Sequence, residues 1–129
     1  MLIKNQVVAE LTFSKLFADI NYCDDQSIEF RSKHDIHGNK RDEIYSIIEK
    51  DGGFLLTDKG STLSILDYIF ELNELDVIKN IDALLAQYNI HKSGEELTYS
   101  LLSDTPIITQ ILHYLQGINF LFAMKLFYE

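Results

Sequence analysis

The chain has 129 residues, with 11 basic and 20 acidic side chains and a formal net charge of −9. It contains one Pro, one Cys and no Trp, and 47% of its residues are apolar. This composition predicts a single folded domain over residues 1–129 and excludes extended disorder, collagen-like repeats and a disulfide scaffold. A chain of this length buries about two-thirds of the surface that its unfolded form exposes, so its core needs no metal or cross-link.

The charge and the cysteine content bear on partners and location. Residues 61–129 hold three basic and nine acidic side chains, so the second half is the more negative one. A negative field repels the phosphate backbone, and we expect no direct binding to nucleic acid. The lone Cys23 and the lack of a secretory signal pattern predict a cytoplasmic protein. No membrane association is expected, because the cleanest apolar stretch, residues 118–124, is far shorter than the roughly 20 residues that cross a bilayer.

Hydrophobic periodicity predicts an α+β fold, with about four helices and a small antiparallel sheet of three strands. Apolar residues at helical spacing predict a first helix over residues 3–18. Alternation and turn signals predict strands at residues 27–31, 44–48 and 54–57, with the tight turn Asp51-Gly52-Gly53 between the last two.

The remaining elements are predicted from capping and turn residues. Ser61 is expected to cap a second helix and Asp76 a third. Residues 90–101 fit either a small hairpin or a loop. Thr105-Pro106 predicts the start of a long apolar C-terminal helix, because proline at the first helical position gives up no hydrogen bond.

Three segments of the chain resemble a known family. They are Asp42-Glu43-Ile44-Tyr45, the run from Gly53 to Leu63 with its Leu-Thr-Asp-x-Gly turn, and Asn80-Ile81 leading to Tyr88-Asn89-Ile90. Over about residues 27–125 the chain resembles the prokaryotic and phage domain-of-unknown-function family numbered eighteen twenty-eight. The resemblance implies an acidic residue and an aromatic in the second strand, helices after the turn and an apolar C-terminal helix. It implies no activity.

The Leu-Thr-Asp-x-Gly turn has a structural interpretation and a functional one. In the first, Asp58 accepts hydrogen bonds from backbone N–H groups of the turn and Gly60 adopts a positive φ. In the second, Asp42, Glu43 and Asp58 form a divalent-metal site of a nuclease-like enzyme. The structural interpretation is favoured, because Glu49-Lys50 are adjacent and lack the alternating spacing that puts two side chains on one face of a strand.

Other chemical motifs are weak. His34 and His37 could bind a metal, but a solvated loop pair is the favoured interpretation. The sequence has no Walker loop, dinucleotide glycine fingerprint or nucleophile elbow, which favours a non-enzyme without metal or cofactor.

Acidic side chains follow one another through the second and third predicted helices, namely Asp67, Glu71, Glu74, Asp76 and Asp82. A solvated face is the simplest interpretation. In the functional interpretation, these carboxylates imitate a row of phosphates and occupy the basic groove of a nucleic-acid enzyme. This predicts a non-enzymatic protein-binding module, with a phage or mobile-element inhibitor of a host defence nuclease, such as an anti-CRISPR factor, as the specific hypothesis. A purely structural assembly subunit is a further alternative.

The C-terminal helix predicts self-association. A helix that is apolar all round must be buried all round. The domain can cover one side, so the other side is expected to meet a second copy in a two-fold homodimer. The predicted interface residues are Ile118, Phe120, Leu121, Phe122 and Phe127.

Overall fold

The computed structural model describes residues 4–14, 17–23, 27–32, 44–69 and 74–124. The described residues form an α+β fold with four helices and six strands, which confirms the predicted class and number of helices. In chain order the elements are α1 Lys4–Ser14, β1 Phe17–Tyr22, β2 Ile28–Ser32, β3 Ile44–Lys50, β4 Gly53–Thr57, α2 Ser61–Ile69, α3 Leu75–Gln87, β5 His91–Ser93, β6 Glu96–Ser100 and α4 Ile107–Ala123.

The sheet is wholly antiparallel, with the strand order β1-β2-β3-β4-β6-β5. The predicted meander is its centre, β2-β3-β4, but the prediction of only three strands was wrong. The first helix ends at Ser14, and the segment assigned to its last turn begins β1. Residues 91–100 form the hairpin β5-β6, whose turn contains Gly94 at φ 61°.

The core lies between one face of this sheet and all four helices. Directly paired residues on that face include Phe30 with Tyr45 and Leu56 with Tyr99. The ring of Tyr45 stacks on Phe30 at a centroid distance of 5.9 Å and meets Tyr114 of α4 edge-on at 6.0 Å. Fully buried helical residues complete this cluster, among them Val7, Leu11, Leu66, Ile111 and Ile118.

Helix starts differ from the predicted caps. Ser61 is the first residue of α2, and its hydroxyl donates to the carbonyl oxygen of Asp58 at 3.1 Å. Glu74 precedes α3, so Asp76 lies inside the first turn, where its charge complements the helix dipole. Pro106 precedes α4, and the first N–H of that helix, at Ile107, donates to a Glu10 carboxylate oxygen of α1 at 2.9 Å.

The expected long apolar C-terminal helix is not found among the described residues. Helix α4 has 17 residues and is amphipathic, with Ile111 and Ile118 fully buried and Thr109 and Gln116 exposed. A sheet twice as wide as predicted covers the apolar side of this helix. None of the described helices has the length and apolar content that crossing a bilayer requires.

Candidate functional site

Asp58 is fully buried at the turn between β4 and α2. Its Oδ1 accepts the N–H of Gly60 at 2.9 Å and the N–H of Leu97 at 3.0 Å, and its Oδ2 accepts the N–H of Thr62 at 3.2 Å. Gly60 has φ 87°, which disfavours any residue with a side chain. The structural interpretation of this turn is confirmed. The carboxylate also joins the turn to β6, a long-range contact that the sequence did not indicate.

The predicted metal site is not assembled within the described part of the chain. Asp42 and Glu43 lie outside the described residues, as do His34 and His37. Asp58 is enclosed and already holds three N–H donors, so its oxygens face no open site. Across the described residues, no group of three His, Cys, Asp or Glu side chains could hold a metal ion.

The five acidic residues proposed for partner binding separate into different environments. Asp67 of α2 is exposed, and so are Glu74 and Asp76 at the start of α3. Asp82 forms an ion pair with Lys92 of β5, with 3.1 Å between Oδ1 and Nζ. Glu71 lies outside the described residues.

Most of the residues proposed for the homodimer interface belong to the core of the chain itself. Ile118 and Leu121 are fully buried and Phe122 is 6% exposed, so these three do not present a surface to a second copy. Phe120 is 41% exposed. Phe127 lies outside the described residues.

Phe120 lines an open groove of about 510 Å³ between α3 and α4, which we call the α3–α4 groove. Among the described residues, its lining combines apolar side chains with two neutral amides and includes no charged side chain. The lining residues are Asn80, Ala83, Leu84, Gln87, Phe120, Ala123 and Met124.

Sequence reasoning missed the face of the sheet opposite the core. On this face each of the six strands contributes one polar residue to a line across the sheet. Each of these residues pairs directly with the next one on the neighbouring strand. We call this set the polar row: Asn21, Glu29, Ser46, Thr57, Thr98 and His91. The period of two along a strand could have indicated this face, because Ser46 lies between the buried Tyr45 and Ile47 in the sequence.

Hydrogen bonds order part of the polar row. The Thr57 hydroxyl donates to Glu96 Oε1 at 2.9 Å and accepts the N–H of Lys59 at 3.1 Å. The Thr98 hydroxyl donates to the carbonyl oxygen of His91 at 3.3 Å. By contrast, Ser46 Oγ is fully buried and has no hydrogen-bond partner among the described residues.

An open cleft of about 450 Å³ lies over β3, β4, β6 and β5 on this polar face, and we call it the polar-face cleft. Ile48 and Leu55, which pair directly, supply apolar surface to it. Thr98 and Ser100 supply hydroxyl groups, and Glu96 supplies a carboxylate. The cleft therefore offers an apolar floor next to a hydrogen-bonded acid.

The buried tyrosines serve the core. Burial raises the pKa of Tyr114 well above 10.0, and the neighbouring charge of Asp58 raises it further. The Tyr114 hydroxyl donates to the carbonyl oxygen of Leu97 at 2.7 Å. Burial also raises the pKa of Tyr99. Both phenols stay protonated near neutral pH, as their place in the aromatic cluster requires.

Comparisons of the chain with protein-family models, with curated proteins and with solved structures found no match. The resemblance drawn from the Leu-Thr-Asp-x-Gly turn therefore stays a prediction.

Proposed function

We propose that the protein is a non-enzymatic module that acts by binding another protein. The observation that carries the proposal is the contrast between its carboxylates. Asp58, the acid that the alternative nuclease site depends on, is saturated by backbone donors, whereas Asp67, Glu74 and Asp76 are exposed. Acidic chemistry thus lies at the surface of the helices, where it can meet a partner.

The charge of the chain favours a basic partner. A protein of net charge −9 with exposed carboxylates on α2 and α3 attracts positive surfaces and accelerates association with them at low salt. The groove of a nucleic-acid enzyme has this positive character because it holds phosphates. A phage or mobile-element inhibitor of a host defence nuclease is the specific form of the proposal.

The test is inhibition of purified bacterial defence nucleases, measured at two salt concentrations. The variant Asp67→Asn/Glu74→Gln/Asp76→Asn removes three charges with little change of shape. At low salt we expect its inhibition constant to rise at least about tenfold, since a few exposed charges together contribute more than about 1.4 kcal/mol.

The matched control is Asp82→Asn. Asp82 is already paired with Lys92, so its loss is expected to change inhibition by less than about threefold. Equal inhibition by the triple variant and the unaltered chain would show that the acidic helices are not the binding surface.

Self-association is a second candidate, favoured by the α3–α4 groove. A two-fold interface places identical residues opposite one another, so acidic side chains within it would repel. No acidic side chain of the described residues lines this groove, and Phe120 stands exposed in it. Burying one such ring contributes about 1.5–3 kcal/mol. A homodimer joined through Phe120, with the buried Ile118, Leu121 and Phe122 supporting the helix from within, fits these observations.

Sedimentation at micromolar concentration tests the homodimer. We expect a species larger than the 14.9 kDa chain, and Phe120→Ala should shift it to the monomer. Leu112→Ala is the control, because Leu112 is 46% exposed on the same helix but does not line the groove. A monomer at all concentrations for the unaltered chain would contradict this candidate.

A further inference from the structure

The polar-face cleft has a fixed acid at one end. Glu96 lines the cleft and is exposed, and its Oε1 accepts the hydroxyl hydrogen of Thr57 at 2.9 Å. Thr57 is itself buried and held by the N–H of Lys59, so this hydroxyl holds the carboxylate in one orientation. The second carboxylate oxygen of Glu96 accepts no hydrogen bond from the described residues and is available to a ligand.

A hydroxyl acceptor lies beside this acid. Thr98 lies two residues from Glu96 on the same strand, so both side chains belong to one face of β6. Ser100 lies on that face too, but about 13 Å from Glu96 along the strand, where it pairs with Leu55. The Thr98 hydroxyl donates its hydrogen to the carbonyl oxygen of His91, so its lone pairs can accept a hydrogen bond from a ligand. An ammonium group carries three donors and no acceptor, and a carboxylate with neighbouring hydroxyl oxygens satisfies it.

The floor of the cleft is apolar next to these acceptors. Ile48 and Leu55 pair directly across β3 and β4, and Leu55 pairs with Ser100. A ligand held by Glu96 therefore meets aliphatic surface within the same cleft, which suits a short carbon chain and does not suit a fully hydrated ion.

Three basic side chains bear on the site. Lys59 adjoins Thr57 but does not line the cleft, and its ammonium group forms an ion pair with Glu29 of the polar row. Lys50 pairs with Gly53 at the opposite end of the β3-β4 hairpin, where Asp51 adjoins it. Six residues of strand register, or about 20 Å, separate Lys50 from Glu96. His91 lines the cleft close to Glu96, because it pairs with Thr98. The net charge of −9 concentrates cations around the whole molecule.

We propose that the polar-face cleft binds a primary alkylammonium group, with the charged end on Glu96 and Thr98 and the carbon chain along Leu55 and Ile48, beside Ser100. This chemistry is carried by free aliphatic amines and by the side chain of lysine. The site lies on the sheet face opposite the core, so it does not depend on the acidic surface of α2 and α3 or on the α3–α4 groove.

The experiment is a titration of the full chain followed by amide chemical shifts, with butylammonium, spermidine and a blocked lysine peptide as separate probes. We expect saturable shifts concentrated on β4 and β6. Two control probes accompany them: butanol, which has the same carbon chain without a charge, and acetate, which has a negative charge. Tightest binding by spermidine would identify a free polyamine as the source, and tightest binding by the peptide would identify a lysine side chain.

Two isosteric variants separate a site from general charge attraction. Glu96→Gln should weaken butylammonium binding at least about tenfold, whereas Glu95→Gln should change it by less than about twofold. Glu95 adjoins Glu96 in sequence and carries the same charge, but it lies in the β5-β6 turn and does not line the cleft. Folding of each variant is checked by the dispersion of its amide spectrum.

Three results would overturn the proposal. They are equal effects of the two variants, shifts produced by butanol as strongly as by butylammonium, and the lack of saturable shifts with all three ammonium probes. Each is read independently of nuclease inhibition, so failure of this site and failure of the proposed function are distinguishable.

Discussion

The two faces of the sheet use neighbouring residues for opposite purposes. On the core face, Tyr45 and Leu56 contact aromatic and aliphatic side chains of the helices, whereas one residue later Ser46 and Thr57 belong to the polar row. The hydrophobic core cluster, which includes residues of all four helices, lies on the first of these faces. The period of two along each strand, and not the overall composition of a strand, therefore decides where polar binding groups can accumulate.

Two carboxylates at the junction of β4 and β6 make the same comparison more sharply. Asp58 is buried and accepts three backbone N–H groups, whereas Glu96 is exposed and accepts one hydroxyl. The number of internal donors distinguishes a carboxylate that stabilises the fold from one that retains capacity for a ligand.

The largest effect is expected for Asp58→Ala. The substitution leaves three buried N–H groups without an acceptor, so the free energy of unfolding should fall by about 3–5 kcal/mol. Urea denaturation measures the change. Glu96→Ala is the comparison and should cost less than about 1 kcal/mol, because Glu96 is exposed. Similar losses for both variants would refute the distinction between the two carboxylates.

The next effect compares the faces within one strand. Leu56→Ala removes a fully buried side chain from the core face and should destabilise the protein by about 2–5 kcal/mol. Leu55→Ala changes a half-buried residue of the polar face and should cost about 1 kcal/mol or less. Equal shifts in the urea midpoint would mean that the polar face is covered as fully as the core face.

Local signals in the sequence were sufficient for the centre of the fold. Asp51-Gly52 predicts the β3-β4 turn, and both residues have positive φ values, 53° and 79°. Strand β1 was missed because apolar residues at helical spacing continue to Phe17, with no glycine or proline to mark the end of α1. Where local pattern is ambiguous, pairing with β2 decides the structure.

The surfaces depend on contacts between distant segments, which no local pattern specifies. The N–H of Leu97 reaches Asp58 across 39 residues, and the polar row exists only because β6 pairs with β4. The same wide sheet explains the misplaced dimer residues. Tyr114 of α4 contacts β3 and β6 of this sheet, α1 and α3 pack against the same helix, and Ile118 and Leu121 are fully buried.

A smaller effect concerns alkaline stability. The pKa of Tyr114 in the folded chain lies above that of an unfolded tyrosine, so the folded state retains its proton while the unfolded state releases it. This contribution is complete below about pH 10 and is lost as the pH rises further, by up to about 1.4 kcal/mol per pH unit. Urea midpoints between about pH 8 and pH 11 measure the loss.

Tyr114→Phe sharpens that measurement. It should cost about 1 kcal/mol near neutral pH, because the Leu97 carbonyl loses its donor, and it should also flatten the alkaline decline. Tyr22→Phe removes an exposed hydroxyl and is the control. An unchanged alkaline slope in Tyr114→Phe would show that other groups cause the decline.

The smallest effect has the opposite sign and lies in the polar row itself. Ser46 Oγ is fully buried and makes no hydrogen bond with the described residues. No hydrogen bond of the folded state therefore replaces those that this hydroxyl makes with water in the unfolded chain. Ser46→Ala removes the hydroxyl and leaves the backbone pairing with Glu29 and Thr57 in place. The free energy of unfolding should stay unchanged or rise by up to about 1 kcal/mol.

Thr57→Val is the matched comparison, because it removes a hydroxyl that forms hydrogen bonds with Glu96 and Lys59. It should lower the free energy of unfolding by about 1–2 kcal/mol. A loss of that size in Ser46→Ala would reveal a hydrogen-bond partner for its hydroxyl.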